Sequence, residues 1–129
     1  MKRRSISGAL GLIGLARRAS GAHAGSAAAV RTLRNGDAML VVTARDAARG
    51  QLAKIERAAF GRGVRVVAAA DRRTLGVALG RGPTTAVAVT HPGFAERIAR
   101  ILIKHDSAEI GDRADPDAAN SNERVAGAR

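Results

Sequence analysis

The side chains in this chain best equipped to do chemistry are guanidinium groups. Among 129 residues there are 22 Lys and Arg against 11 Asp and Glu, a formal net charge of +11, and Arg is by far the commoner cation. Planar guanidinium forks match the oxygens of a phosphate. A surface this basic attracts polyanions, with nucleic acid the first partner to consider. The charge is also uneven: residues 1–105 hold 19 basic and 5 acidic side chains, +14, whereas residues 106–129 hold 3 and 6, −3. A GC-rich genome raises Arg and Ala content by itself, but it does not gather the acids at one end.

Other chemistries find less support. His23, His91 and His105 are scattered without metal-ligand spacing, and with no Cys there is neither a thiolate site nor a disulfide. No metal and no cofactor is implied, and the lack of Cys fits a reducing cytoplasm. No Ser, His and acid set recurs at a recognisable spacing. Gly8, Gly11 and Gly14 follow no strand, as a dinucleotide fingerprint requires, and read instead as places where two helices pack closely. The chain is therefore expected not to be an enzyme. It has no Trp or Tyr and two Phe, Phe60 and Phe94. Both lie in apolar helical patterns that are expected to bury them, so recognition should rest on backbone and shape rather than on base stacking.

These residues need a scaffold, and 129 residues with 46% hydrophobic content support one domain with one core. Lys2, Arg3 and Arg4 ahead of the apolar residues 6–16, with Ala22-His23-Ala24 beyond, trace the outline of a signal peptide. The three glycines keep that stretch weakly hydrophobic, Arg17 and Arg18 follow it at once, and an amphipathic first helix explains the same residues, with Ser5 as N-cap and Ile6, Leu10 and Ile13 in one stripe. No segment approaches the ~20 apolar residues of a membrane span.

From there helix and strand alternate. Residues 26–35 read as a helix capped by Ser26, stopped by Gly36, with Ala29, Val30 and Leu33 inward. Residues 39–44 read as a strand covered on both faces, because Leu40-Val41-Val42 does not alternate. Asp46 is expected to cap a helix in which Leu52, Ile55 and Ala59 share a face and which Gly61 and Gly63 end. A strand over 64–69, a short helix over 71–80, a strand over 85–90 and a last helix opened by Pro92, with Phe94, Ile98, Ile101 and Leu102 inward, complete the pattern. With an edge strand over 22–24, this predicts a three-layer α/β/α sandwich around a small mixed sheet of about four strands. Residues 1–105 form the expected domain. Residues 106–129 are an acidic tail, and from residue 107 onward the absence of periodicity predicts disorder.

The runs Leu15-Ala16-Arg17-Arg18-Ala19-Ser20-Gly21, Gly25-Ser26, Leu40-Val41-Val42-Thr43-Ala44-Arg45-Asp46-Ala47 and Thr74-Leu75-Gly76-Val77-Ala78-Leu79-Gly80 together resemble the L7Ae/L30e ribosomal protein superfamily, most of all its small bacterial members. The resemblance covers about residues 5–102. It implies a monomeric α/β/α protein that binds structured RNA, often a kink-turn, in ribosomal or other ribonucleoprotein particles, and thus a place in translation. It also implies a site. The family's Gly-Thr-Asn-Glu type motif falls on Gly25, Ser26, Ala27 and Ala28, at a helix N-terminus whose N–H groups and dipole favour a phosphate or base edge. Arg31, one turn on, stands where the family has a basic residue. Ala27 and Ala28 replace the polar side chains with which kink-turn readers bond sheared G·A pairs, and two methyl groups cannot make those bonds. Arg45 stands where relatives place Glu and favours phosphate, while Asp46 reads as a helix cap rather than a base reader.

The third part of the implied surface is Ala69-Ala70-Asp71-Arg72-Arg73, where the family packs small apolar residues against an exposed nucleotide and where Arg72 and Arg73 can grip flanking phosphates. Arg17 and Arg18 belong to the resemblance as phosphate contacts and equally suit snorkelling from the first helix. The leading expectation is thus a non-catalytic binder of ribosomal or other folded RNA. An RNA-recognition module for an RNA-modifying enzyme and a nonspecific basic DNA-binding protein stand beside it.

Overall fold

The computed structural model describes residues 2–113, with side chains placed for residues 6–104. The elements run α1 (Lys2–Arg18), β1 (Ala22–Ala24), α2 (Ser26–Arg34), β2 (Leu40–Ala44), α3 (Arg49–Arg62), β3 (Val66–Ala70), α4 (Arg72–Ala78), β4 (Ala86–Val89) and α5 (Pro92–Arg113). The sheet has the order β1-β4-β2-β3. β2 and β3 are parallel, and β4 lies antiparallel to both β1 and β2. At every position β2 and β4 are buried, which is why neither shows the alternation of a half-exposed strand.

Successive strand residues feed opposite layers. Leu40, Val42, Val67, Ala69, Val87 and Val89 pack with Ala9, Ile13 and Ala16 of α1, Leu75 of α4, and Ala95, Ile98 and Leu102 of α5. On the other face Val41, Ala86 and Ala88 pack with Ala29 and Leu33 of α2 and Ile55 and Ala59 of α3. The result is the three-layer α/β/α sandwich with a small mixed sheet, and the edge strand β1 is part of it.

Glycines set two of the close approaches. A Cβ on Gly14 would lie 2.7 Å from the Ala78 carbonyl oxygen, so α1 meets α4 there as helix-packing glycines should. A Cβ on Gly76 would lie 2.1 Å from the Gly82 carbonyl oxygen, so the loop after α4 folds directly over its own helix. Gly8 and Gly11 meet nothing so close.

Several local expectations need correction. α1 starts at Lys2, which puts Ser5 inside the helix rather than at its cap. The N-cap of α2 is Gly25, at φ 110°, and Ser26 is the first helical residue. The other end of α2 is as expected: Gly36, at φ 82°, donates its N–H to Leu33 O at 3.0 Å while Asp37 donates to Thr32 O at 3.1 Å, the paired bonds of a Schellman stop. α3 starts at Arg49 behind Ala48 with no side-chain cap, so Asp46 does not cap it, and Gly63 in the left-handed conformation ends it while Gly61 lies within the last turn.

Phe60 is 80% exposed, because the buried side of α3 is set by Ile55 and Ala59. Phe94 is half-buried beside the His91 ring, with centroids 5.2 Å apart. His91 itself caps α5, its Nδ1 accepting from the N–H groups of Gly93 and Phe94 at 3.1 and 3.3 Å. α5 runs on to Arg113, so residues 107–113, where order was expected to be lost, continue the last helix. Residues 114–129 of the expected tail lie outside the described residues.

Candidate nucleic-acid interface

The C-terminal ends of β1, β2 and β3 and the start of β4 share one edge of the sheet, because only β4 runs against the others. Four connections therefore converge there: the β1–α2 turn, the β2–α3 loop, the β3–α4 junction and the α4–β4 loop. Backbone bonds stitch them together. Gly25 N–H donates to Ala86 O at 2.8 Å, Ala44 N–H to Thr85 O at 2.8 Å, Arg45 N–H to Ala70 O at 2.7 Å and Thr84 N–H to Arg72 O at 3.0 Å. In this way Gly25, Ser26, Ala27, Ala28, Arg45, Asp46, Ala70, Asp71, Arg72 and Arg73 come to one end of the molecule from three separate stretches of sequence.

Three helices, α2, α3 and α4, begin at this end, and their N-termini differ. That of α4 is closed by carboxylates: Asp71 Oδ1 accepts from Thr74 N–H at 2.7 Å, and Asp46 Oδ1 accepts from Arg72 N–H at 2.8 Å. Asp46 also holds the Arg72 guanidinium, with Oδ2 3.4 Å from Nε. The backbone N–H of Thr74 and then its hydroxyl hold the Asp71 carboxyl below its ordinary range; desolvation opposes them, and the charge of Arg73 adds the smallest lowering effect. No side chain caps α3, and none caps α2. The free N–H groups at its start, with the positive end of the helix dipole, are left for an anion from outside. Gly25 suits that position because its φ of 110° is one that L side chains rarely adopt.

Cations surround that open end. Arg31, exposed one turn along α2, shares a hollow with Arg17 of α1, His23, Ala28 and Arg81. Arg81, in the α4–β4 loop, donates from Nη1 to the Ala24 carbonyl at 3.3 Å and so fixes its guanidinium beside the β1–α2 turn. Sequence reasoning missed it. It sits in no motif, and 57 residues separate it from its partner; the one available signal was a lone Arg between two glycines, Gly80 and Gly82.

Not every expected residue reaches this surface. Ala69 is 2% exposed and packs in the core beneath the sheet, so its methyl group is not available to a nucleotide, whereas Ala70 is half-exposed. The parallel register between β2 and β3 shifts between Thr43 and Ala44, and this irregularity falls beside Ala70. Arg18 diverges from Arg17 and lies along Gly14 toward Thr74 and Val77 of α4. Arg45 and Arg73 are exposed at the edge. Among the described residues, no group of three His or acidic side chains could hold a metal ion, and no helix is long and apolar enough to cross a membrane.

Known proteins resemble this arrangement. The chain matches the ribosomal protein L7Ae/L30e/S12e/Gadd45 family over residues 9–99. A protein of unknown function from Bacillus halodurans C has a similar structure, with a TM-score of 0.70 and 28% identity, over 73% of this chain and 95% of that one. A Giardia lamblia 15.5kD RNA binding protein shares the fold with a TM-score of 0.64 and 23% identity, over 79% of this chain and 88% of that one. No curated protein matches the sequence.

Proposed function

The chain belongs to the ribosomal protein L7Ae/L30e/S12e/Gadd45 family, and on that premise we propose that it is a non-catalytic binder of structured RNA. The observation that carries the reading is the open N-terminus of α2 at Gly25 and Ser26, with Arg17, Arg31 and Arg81 beside it, where the neighbouring α4 is closed by Asp46 and Asp71. An RNA phosphate or base edge seats on the open one, and Arg17, Arg31 and Arg81 neutralise the adjoining backbone. Charge complements geometry, since the whole chain carries +11. The RNA-binding description of the Giardia lamblia protein, which has this fold, agrees with it.

The finer identity follows from the first turn of α2. Ala27 and Ala28 offer backbone N–H groups but no polar side chains, so the partner is a folded RNA recognised through backbone and shape, ribosomal or ribosome-associated RNA in the cytoplasm being the leading class. Kink-turn RNA is bound with little discrimination for its G·A pairs. The edge surface, not a cofactor or a nucleophile, performs the function.

Titration of the protein with a folded ribosomal RNA fragment and with duplex DNA of equal charge, across a salt series, tests this. Folded RNA should bind more tightly at every salt concentration, whereas purely electrostatic binding scarcely separates the polymers. Arg31→Glu and Arg45→Glu should each weaken RNA binding about tenfold, well beyond Arg97→Glu on α5, although each changes the net charge equally. Equal affinity for RNA and DNA would leave a nonspecific polyanion binder.

A further inference from the structure

A second basic surface lies on the other side of Arg31. α2 and α3 pack side by side over one face of the sheet, and an open groove of 680 Å³ runs between their outward sides. Ser26 and Ala27 line its upper end, Arg31, Arg34, Lys54 and Arg57 line its length, and no carboxylate is among its lining residues. The two helices carry Arg31, Arg34, Arg49, Lys54, Arg57 and Arg62 against a single acid, Glu56. All six cations are exposed. Arg62 donates to the carbonyl of Arg34, and among the described residues none of the six lies within ion-pair distance of a carboxylate.

Elsewhere Arg72 is paired with Asp46 and Arg100 with Glu96, while Arg17, Arg18, Arg73 and Arg97 have no carboxylate within ion-pair distance among the described residues; the α2–α3 groove differs in gathering several such cations along one hollow. Like charges on adjacent helices repel one another and oppose folding. An anionic occupant removes that repulsion in the α2–α3 groove, as carboxylates do elsewhere.

We propose that the α2–α3 groove takes the sugar-phosphate backbone of the double-helical stem that leads away from the RNA element held at the α2 N-terminus. The inference rests on the RNA reading above and extends it from the sheet edge to a helix face. Continuity argues for it, because Ser26, Ala27 and Arg31 belong to both surfaces, and RNA seated at the first has the second as its basic exit. The lining argues for paired rather than unpaired RNA. It consists of cations, amides, small residues and the aliphatic Val30, and Phe60, the exposed ring of α3, is not part of it, so it offers no aromatic platform on which an unpaired base could stack. Backbone contacts of this kind position a duplex without reading its sequence.

The test uses the full chain and two hairpin RNAs carrying the same kink-turn internal loop, one with a long flanking stem and one with that stem cut back to its closing pairs. Three proteins are compared across a salt series: wild type, Lys54→Gln with Arg57→Gln, and, as a control of equal charge, Arg97→Gln with Lys104→Gln. The groove variant should lose about tenfold in affinity for the long-stem RNA at moderate salt, and its salt slope should fall by about 2. On the short-stem RNA it should bind as the control does. Equal losses on both RNAs, or no loss on the long-stem RNA, overturn the proposal, provided circular dichroism shows all three proteins folded to the same extent. If wild type prefers neither RNA over duplex DNA of matched length, the RNA reading itself fails and this inference with it; that result comes from the wild-type arm alone and is distinct from the comparison between variants.

Discussion

At the scale of the residue, the proposed RNA reading turns on the first turn of α2. Ala27 is exposed and Ala28 half-exposed, so both positions tolerate longer polar side chains in a first turn where an acid also suits the helix dipole. Ala27→Asn with Ala28→Glu should therefore fold normally and gain discrimination for a kink-turn RNA over the same RNA without its G·A pairs. Each hydrogen bond to a base is worth on the order of 1 kcal/mol, so the gain should approach tenfold. Strong discrimination by the wild-type protein in the same titration would mean that backbone groups already suffice. That the candidate site's residues come to one end of the molecule was legible in sequence, because Gly25-Ser26 and Arg45 sit in runs whose order is distinctive and Arg31 follows Ser26 on the same helix. Asp46 was misread because an acid just before a helical pattern looks like its cap. β2 ends at Ala44, and the chain spends residues 45–48 in turning, which carries Asp46 away from α3 and toward Arg72. Arg81 was illegible for a different reason: its role depends on a contact with Ala24 that only the folded chain creates.

At the scale of the element, α4 is the piece that shapes the candidate binding edge, and two features hold it. One is the Asp71 cap. Because its folded pKa is lowered, the stability it contributes is fully present above the ordinary carboxylate range and is lost as pH falls through the lowered folded value. Asp71→Ala should lower the melting temperature at neutral pH, and the gap to wild type should shrink in acid; a gap independent of pH would show that the ionised cap contributes nothing. The other feature is Gly76. Helix propensity alone favours Ala over Gly by about 1 kcal/mol, but a Cβ at Gly76 would meet the backbone oxygen of Gly82 at 2.1 Å, and overpacking of that kind costs about 1–3 kcal/mol. Gly76→Ala should thus be net destabilising. Gly61→Ala, in α3 with nothing within 4 Å of the added Cβ, should stabilise by up to about 1 kcal/mol. Urea titration of the two variants separates these effects. The same elements show why the fold was readable: β2 and β4 are apolar but for Thr43, and α5 carries a clean stripe ending in Ile98 and Leu102. Phe60 was not readable, since it follows the apolar pattern of α3 at Ala58 and Ala59 yet lies off the face those residues bury.

At the scale of the whole molecule, charge is divided along the chain, +14 over residues 1–105 and −3 over residues 106–129. Such an arrangement makes the acidic end a weak intramolecular competitor for the basic surfaces, at an effective concentration set by its tether. The core does not depend on it. Leu102 is the last residue in the hydrophobic core of the described side chains, so a chain ending at His105 keeps every core contact identified here, although it loses the final turns of α5. Truncation after His105 should therefore leave a single cooperative thermal transition and raise RNA affinity slightly at low salt. The increase should fade as salt rises, because the interactions of exposed charges are screened over about 8 Å at physiological ionic strength. Two results would contradict this. Loss of cooperative melting would mean that the end of α5 belongs to the folding unit, and a drop in RNA affinity in a chain that still melts cooperatively would mean that residues 106–129 contact the RNA rather than compete with it.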